Sequence, residues 1–552
     1  MTIRIHLLVL GIILTLALLL RFYQLDINPA GLHGDGASQG YNAFSLLHTG
    51  KDRYGETFPI IFRSNGSYQP PVYTYLTIIP VSIFGNTPFS ARFISAFSGA
   101  ILVLVTYLFV NGLFGDKRKH LVALISALVI TIAPWSIQFS RLAVEANLSV
   151  TIFSLGVLLL YLATKKSYLF TIACAVMGIT SHTYYSERIT TILFISTFVF
   201  LFRKNFLNKG NLFWTIAGLG IFITIQIPHI MIAFTGAFAR RFDQVSYVNT
   251  QLSSDNSIFT VINNLLSLFI KTYISYFSPK NLFFEGDSSL GRTMPGLGVF
   301  YTWLIVPFFI GINRLFKNLS SSLSKLLLSL IIITPIPAAL TGDFFYPLRI
   351  LCFLWTISVI ASVGLYSLLS IVKFKIIKVF LSFILFLYSI FTLYSSYSVY
   401  KYESAESFGY AYITLLDVLK NYPNQEIYID SARDSGIGIR NAYLKYYDPV
   451  KLQQQLKPQM KSPYYSSIVN SDEIYNINNI INKFSWDYTC QKNIILVGDT
   501  LAISDKQVND HNLKKEFEIK NPLSIKISLI GYSTNPLIEC PNKKINVNNL
   551  YE

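Results

Sequence analysis

The residues of this chain that could do chemistry are carboxylates, arginines and histidines gathered at the ends of apolar runs. Asp35 lies in Gly31-Leu32-His33-Gly34-Asp35-Gly36, and Lys51-Asp52-Arg53-Tyr54-Gly55 and Arg63 follow it. Arg92, Arg141, Glu145, His182, Glu187, Arg188, His229, Arg292, Asp343 and Arg349 come later, each near one end of a run rather than in its middle. A carboxylate can take a proton from an acceptor hydroxyl, and a guanidinium fork can hold a phosphate through two charge-assisted hydrogen bonds. A charge at mid-bilayer costs several kcal/mol and persists there only for function. The middles of these runs carry none. Ion-coupled transporters place their sites near the midplane on broken helices, so the pattern points instead to chemistry at one face of a membrane. A lipid-borne phosphate would be met at headgroup level and an acceptor from the water.

Several other chemistries lose support for want of their motifs. The chain contains no G-x-x-x-x-G-K-[ST] phosphate loop, no H-E-x-x-H and no C-x-x-C. That removes the signatures of ATP-driven transport and zinc proteolysis. No cofactor is assigned from the residues, and a divalent metal is left as a matter for assay. Of the four cysteines, Cys174 and Cys352 fall in apolar runs as small hydrophobes, while Cys490 and Cys540 could form one bridge.

The elements that must position these residues follow from composition. Hydrophobic residues make up 52% of the chain and charged residues 13%, about half the usual charged share of a soluble domain; mean hydropathy is +0.45. The net charge of +16 does not point to nucleic acid, because the basic residues form short clusters between apolar runs and not a stripe. Runs long enough to span a membrane occur at roughly 4–21, 91–113, 120–138, 147–163, 167–182, 188–203, 211–232, 296–312, 324–341, 347–371 and 376–397. The first is not a cleavable signal, since no small-residue cleavage site follows Arg21-Phe22-Tyr23.

Alternate loops are basic. Arg4; Lys117, Arg118 and Lys119; Lys165 and Lys166; Arg203, Lys204 and Lys209; Arg314, Lys317 and Lys325; and Lys373, Lys375 and Lys378 fall on one side, with Asp116 the single acid among them. Lys and Arg are retained in the cytoplasm, so the N-terminus is expected inside and the C-terminal part outside the cell membrane. This parity requires the apolar stretch Pro70 to Phe84, about 15 residues opening with Pro70-Pro71, to be interfacial and not spanning. The expected organisation is a membrane domain over 1–397, with a first outer loop at 22–90 and a second at 233–295. An extracytoplasmic α/β domain follows over 398–552. In that last part, strand-like runs occur at Glu426 to Asp430, Asn493 to Val497 and Ser524 to Leu529, with a helical pattern at Tyr410 to Lys420. In the first loop a short helix is expected from Ala37 to His48, ending at Gly50.

Over roughly residues 5–370 the chain resembles the C-type (GT-C) membrane glycosyltransferases that use polyprenyl-phosphate sugars, in the branch of protein O-mannosyltransferases and the lipid A aminoarabinose transferase. The residues that carry the resemblance, in order, are Asp35; Tyr68, Pro70 and Pro71; "FGNTPFSARFISA"; "SRLAVEANL"; and "HTYYSER". The resemblance implies an all-α polytopic fold of about eleven transmembrane helices with a C-terminal outer domain. It also implies a hexosyl- or pentosyltransferase that moves a sugar with inversion from a polyprenyl phosphate to a glycan, lipid or protein acceptor. By position Asp35 becomes the general base and Glu145 the second acid, with Arg188, Arg141, Arg349 and Arg63 as donor-phosphate contacts. Tyr41, Tyr68, Gln69, His182 and Tyr184 would line the substrate pocket. The chain departs from the family in having Gly36 where many members have a second acid, and Gln69 where a lysine is frequent.

Each residue also has a plainer reading. Asp35 could cap the helix that follows it, and Arg141 and Glu145, four apart, could be a local pair on one helix. Arg188 and Arg349 could reach to lipid headgroups, and His182 and His229 could be interfacial hydrogen-bonding groups. A flippase of lipid-linked saccharides would bind the same lipid phosphate but needs a polar path through the bundle. A non-enzymatic receptor would leave the charged first loop without a role.

Overall fold

The computed structural model describes residues 3–114, 119–252, 257–432, 434–484, 486, 493–523 and 526–535. They form two compact units. The first comprises residues 1–23, 70–73 and 92–399, and the second residues 24–69, 74–91 and 400–552. Cys490 and Cys540 lie outside the described residues, as do Asp116, Lys117 and Arg118.

The first unit is helical. Seven helices among the described residues are long and apolar enough to cross a membrane: Ile5–Phe22, Pro88–Leu113, Glu145–Ala163, Ile258–Ser275, Ser322–Ala339, Pro347–Ile371 and Lys375–Glu403. The number rises to nine if two bent pairs, Lys119–Ile132 with Pro134–Ser140 (56°) and Leu212–Ile225 with Ile227–Ala233 (43°), each count as one span. Every apolar run expected to span carries helix. Leu169–Ser181 has only 13 residues, however, Glu187–Leu201 only 15, and the run at 296–312 carries only Ile305–Phe316, of 12, short of the roughly 20 needed to cross without help from flanking residues. Pro71–Phe84 is likewise a short helix of 14 residues.

The helix Ile258–Ser275 was not expected. It falls within the region read as the second outer loop, yet it passes the same test of length and hydropathy. Its Ile258, Ile262, Leu266, Ile270 and Ile274 are exposed and recur every four residues, which puts them on one face. Asn263, Asn264 and Lys271 interrupt the sequence, so no continuous apolar run marks it.

Both bends have local causes. Pro134 has no N–H for Ile130 O, four residues back. Arg21, fully buried, fills the gap by donating from Nη2 to Ile130 O at 3.3 Å and to Ser136 Oγ at 2.7 Å. At the second bend Pro228 has no N–H for Thr224 O, four residues back, and His182 Nε2 lies 2.8 Å from Ile225 O.

The second unit holds a six-stranded mixed sheet. The strands are β3 (Glu426–Ile429), β4 (Asn476–Ile477), β5 (Ile480–Ile481), β6 (Ile494–Gly498), β7 (Lys514–Lys520) and β8 (Ile527–Ser533), in the order β4-β5-β3-β6-β8-β7. The pairs β3–β5 and β3–β6 are parallel and the others antiparallel. Alternation along the strands puts Ile427, Ile429, Ile495 and Val497 on one face, against Leu415, Leu416 and Leu419 of the segment beginning at Tyr410. Tyr428, Ile494, Leu496, Ile530 and Tyr532 pack on the other. The expected strands at 426–430 and 493–497 are found with ends shifted by one residue. The run expected at 524–529 corresponds to β8, with Ser524 and Ile525 outside the described residues. β7 was not expected, because Lys514-Lys515-Glu516-Phe517-Glu518-Ile519-Lys520 reads as solvated surface. It is an edge strand, where alternating charges guard against pairing with another chain.

The first-loop residues of this unit form the helix Gly34–Thr49, which ends on Gly50 at φ 68° with Gly50 N donating to Leu46 O. A hairpin of β1 (Phe62–Ser64) and β2 (Ser67–Gln69) follows. It turns through Asn65-Gly66, both at positive φ, as a two-residue hairpin requires.

Candidate functional site

The helix Gly34–Thr49 begins one turn earlier than the sequence suggested, and this changes what Asp35 can be doing. The N-cap is His33, whose Nδ1 accepts a hydrogen bond from Asp35 N at 3.2 Å. Asp35 is therefore inside the first turn, where the helix dipole favours a negative charge. Its carboxylate caps nothing. Its side chain is about half exposed (54%), with Oδ2 3.6 Å from His33 Nδ1. Because Nδ1 accepts from the backbone, the neutral ring carries its proton on Nε2 and gives none to Asp35.

The segment around Asp35 is held from both sides. Gln69 Nε2 donates to Asp35 O at 3.2 Å, and Gln69 Oε1 accepts from Ser38 Oγ at 2.9 Å. Gln69, which replaces the family's frequent lysine, therefore touches the backbone of the acidic residue. On the other side the backbone approaches residues far along the chain. A Cβ on Gly34 would stand 3.1 Å from Gly436 Cα, and a Cβ on Gly31, at φ +94°, would collide with the backbone of Phe408. These contacts account physically for two glycines of the motif.

The other first-loop candidates are buried. Arg63 donates to Ser462 O, Pro463 O and Asn470 Oδ1. Tyr68 donates to Tyr464 O at 2.6 Å, and Tyr41 to Tyr447 O at 2.9 Å. Each of them ties a first-loop side chain to the tail. Arg53, fully buried, donates to Ser38 Oγ at 2.5 Å and stacks on Tyr54.

In the helical unit, Arg141 and Glu145 do not share a helix. Arg141 follows Pro134–Ser140, and Glu145 opens Glu145–Ala163. The buried Arg141 guanidinium donates to Leu20 O, Arg21 O and Tyr23 O, carbonyls at the C-terminal end of the first helix that lack intrahelical donors. Arg188 donates to Phe238 O at 2.8 Å and packs between the rings of Tyr185 and Phe238, 4.5 and 4.3 Å from their centroids. His182 stacks on His229 with centroids 3.7 Å apart.

Arg349 donates from Nη1 to Asp343 Oδ2 at 2.5 Å and to Thr341 Oγ1 at 2.6 Å, and its guanidinium lies 4.2 Å from the ring centroid of Tyr346. Arg292 lies at the same 4.2 Å from Tyr346 and forms a two-point ion pair with Asp287, at 2.7 and 3.1 Å. Tyr184 is within electrostatic reach of Arg349, Tyr346, Glu145 and Arg241. The structure thus brings Glu145, Tyr184 and Arg349 into one neighbourhood and adds Arg292 and Tyr346, which sequence reasoning did not assign. The only signal for them was Arg292 and Asp343 at the ends of apolar runs. Among the described residues no group of three or more His, Cys, Asp or Glu is placed to hold a metal ion.

Comparison with known proteins bears on the whole arrangement. Residues 68–232, less than half the chain, match the family model described as dolichyl-phosphate-mannose-protein mannosyltransferase. No curated protein matches the sequence. Among solved structures, the chain is similar to ArnT from Cupriavidus metallidurans in the apo state, with TM-score 0.52 and 12% identity over 96% of this chain and 99% of that one. The same protein bound to undecaprenyl phosphate gives TM-score 0.50 and 12% identity over 94% and 97%. An Archaeoglobus fulgidus oligosaccharyltransferase tethered with an acceptor peptide gives TM-score 0.52 and 14% identity over 98% and 75%. At these identities the likeness establishes the fold. It is the GT-C fold, a helical membrane part with a C-terminal domain, as the sequence resemblance implied.

Proposed function

We propose that this protein is a membrane glycosyltransferase that moves a sugar from a polyprenyl-phosphate donor to an acceptor at the extracytoplasmic face, with inversion. The observation that carries the reading is the state of Asp35. Its carboxylate is half exposed in the first turn of a helix that another residue caps, so it is not spent on capping and is open to solvent. The GT-C fold, the family match over residues 68–232 and a similar structure bound to undecaprenyl phosphate support the donor class.

The reaction needs little beyond this chain's own side chains. Asp35 takes the proton from the acceptor hydroxyl, and the hydroxyl oxygen forms the new bond to the sugar's anomeric carbon. The bond from that carbon to the phosphate oxygen breaks, and polyprenyl phosphate leaves with the electron pair. Arg349 and Arg188 receive the departing negative charge. Arg141 and Arg63 spend their donors on backbone carbonyls, so their part is to hold the scaffold in place. Glu145 and Tyr184 belong to the Arg349 neighbourhood and help orient it. A general base of this kind contributes roughly 10²–10⁴-fold.

The test is release of polyprenyl phosphate by the purified protein from a panel of polyprenyl-phosphate sugars, with and without divalent metal and chelator. Release by the wild-type chain that Asp35→Asn abolishes is the expected result. Equal release by wild type and Asp35→Asn would overturn the assignment.

A further inference from the structure

Beside the capping residue of the Asp35 helix lies a cavity of about 590 Å³, within the range of roughly 300–1,000 Å³ usual for small-molecule sites. First-loop residues His33, Gly34 and Asn65 form one wall, and four segments of the tail form the rest. All of them belong to the second unit.

The chemistry of the lining narrows the ligand. Neutral hydrogen-bonding groups such as Asn65, Ser435 and Thr500 share the lining with three carboxylates, Glu406, Asp434 and Asp499, and two cations, Arg440 and Lys526. The charged groups are largely engaged with their neighbours. Arg440, buried at 1% exposure, donates to Leu32 O at 2.7 Å and lies 2.9 Å from Asp434 Oδ2. Glu406 Oε1 accepts from Asn521 Nδ2 at 3.1 Å, and Asp499 Oδ1 accepts from Leu501 N and Ala502 N. Tyr410 and Tyr412 supply half-buried aromatic surface. A phosphate would need uncompensated cations, and a lipid tail would need an apolar wall. A ligand carrying many hydroxyls beside small apolar faces needs what this wall offers.

We infer that this cavity binds a saccharide, and that the saccharide is the acceptor. The assignment as acceptor rests on the proposed transfer reaction. His33 links the two places, since it lines the cavity and its Nδ1 stands 3.6 Å from Asp35 Oδ2.

The experiment measures binding of three neutral trisaccharides, chitotriose, maltotriose and mannotriose, to the full-length protein in nanodiscs by ligand-observed NMR. Release of polyprenyl phosphate is followed separately. At least one trisaccharide is expected to bind. Thr500→Ala, which removes one hydroxyl from the lining, should weaken it roughly 3–10-fold, and Ser435→Trp, which fills the exposed rim, should abolish measurable binding. Lys461→Ala, at a surface ion pair elsewhere in the tail, should leave the affinity unchanged, and melting curves should show each variant folded. Binding that survives Ser435→Trp in a folded protein overturns the inference. So does failure of all three trisaccharides in a protein that still releases polyprenyl phosphate, and in that case the transfer reading stands alone. Trisaccharide binding without any donor turnover sustains the saccharide site and sinks the transfer reading instead.

Discussion

Tyr464 donates its hydroxyl hydrogen to Asp52 Oδ2 at 2.6 Å, joining a fully buried carboxylate of the first loop to a tyrosine of the tail. Asp52 Oδ1 accepts from Tyr54 N at 2.9 Å and Glu56 N at 3.0 Å. Burial nevertheless pushes this carboxyl up to about 6, against the pull of those hydrogen bonds. A raised carboxyl favours the folded state while protonated. Its contribution is complete below about pH 4 and is lost as pH rises through 6.

Asp52→Asn should therefore flatten the pH dependence of stability between about pH 4 and 6. The amide keeps the oxygen that accepts from Tyr54 and Glu56, and Tyr464 can turn its hydroxyl to Ile61 O, 3.3 Å away. At pH 7 the variant should melt no lower than wild type, with up to ~3 kcal/mol available from the relieved charge. Asp52→Ala should melt lower at every pH. An Asn variant that keeps the wild-type pH profile of melting would assign the profile to another group.

For Asp35 the structure sharpens the contrast between folding and catalysis. Asp35→Asn removes no cap, so expression and melting should be near wild type while turnover falls by at least about 10²-fold. His33→Ala removes the capping acceptor and should cost about 1 kcal/mol of stability. The comparison is made by melting curves beside polyprenyl phosphate release. A well-folded Asp35→Asn enzyme with substantial turnover would make Glu145 the leading carboxylate.

Arg349 offers a graded test of donor recognition. Arg349→Lys keeps the charge but loses the planar fork that spans Asp343, Thr341 and the Tyr346 ring. Affinity for polyprenyl phosphate should fall severalfold in Arg349→Lys and by more than about tenfold in Arg349→Ala. Arg188→Lys and Arg188→Ala should follow the same order. Unchanged affinity in both alanine variants would return these residues to membrane anchoring.

Gly34 and Gly436 approach so closely that a methyl group on either must displace backbone. Gly34→Ala should destabilise the protein by about 1–3 kcal/mol through overpacking. It should also lower trisaccharide affinity, because Gly34 and Gly436 both line the cavity. A Gly34→Ala protein with wild-type melting and affinity would show that this approach is not required.

From the basic loops we propose that the N-terminus is cytoplasmic and the tail outside. A reporter active only in the cytoplasm, fused after Glu552, should stay silent. Activity there would mean an even number of crossings, and Ile258–Ser275 would be the first helix to re-examine as an added span.

The class of the molecule was legible in the sequence because lipid and water impose long-range averages on composition. Continuous apolar runs became helices, the Gly50 cap acts through local backbone conformation, and short runs of β-favouring residues marked β3 and β6, while the β1–β2 hairpin was not read. Elements whose signal depends on a partner were not legible. Ile258–Ser275 is amphipathic, so no run of apolar residues announces it, and the charged edge strand β7 has meaning only beside β8. The same holds for the arginines. Sequence makes Arg63, Arg141, Arg188 and Arg349 alike, since each is a guanidinium at the end of an apolar run or in a loop. Only the tertiary structure decides that Arg63 and Arg141 are consumed by carbonyls, because a cation's role is set by the acceptors within about 3 Å of it, and folding brings theirs from 399 and 121 positions away, whereas Arg349 finds Thr341, Asp343 and Tyr346 in its own stretch of chain.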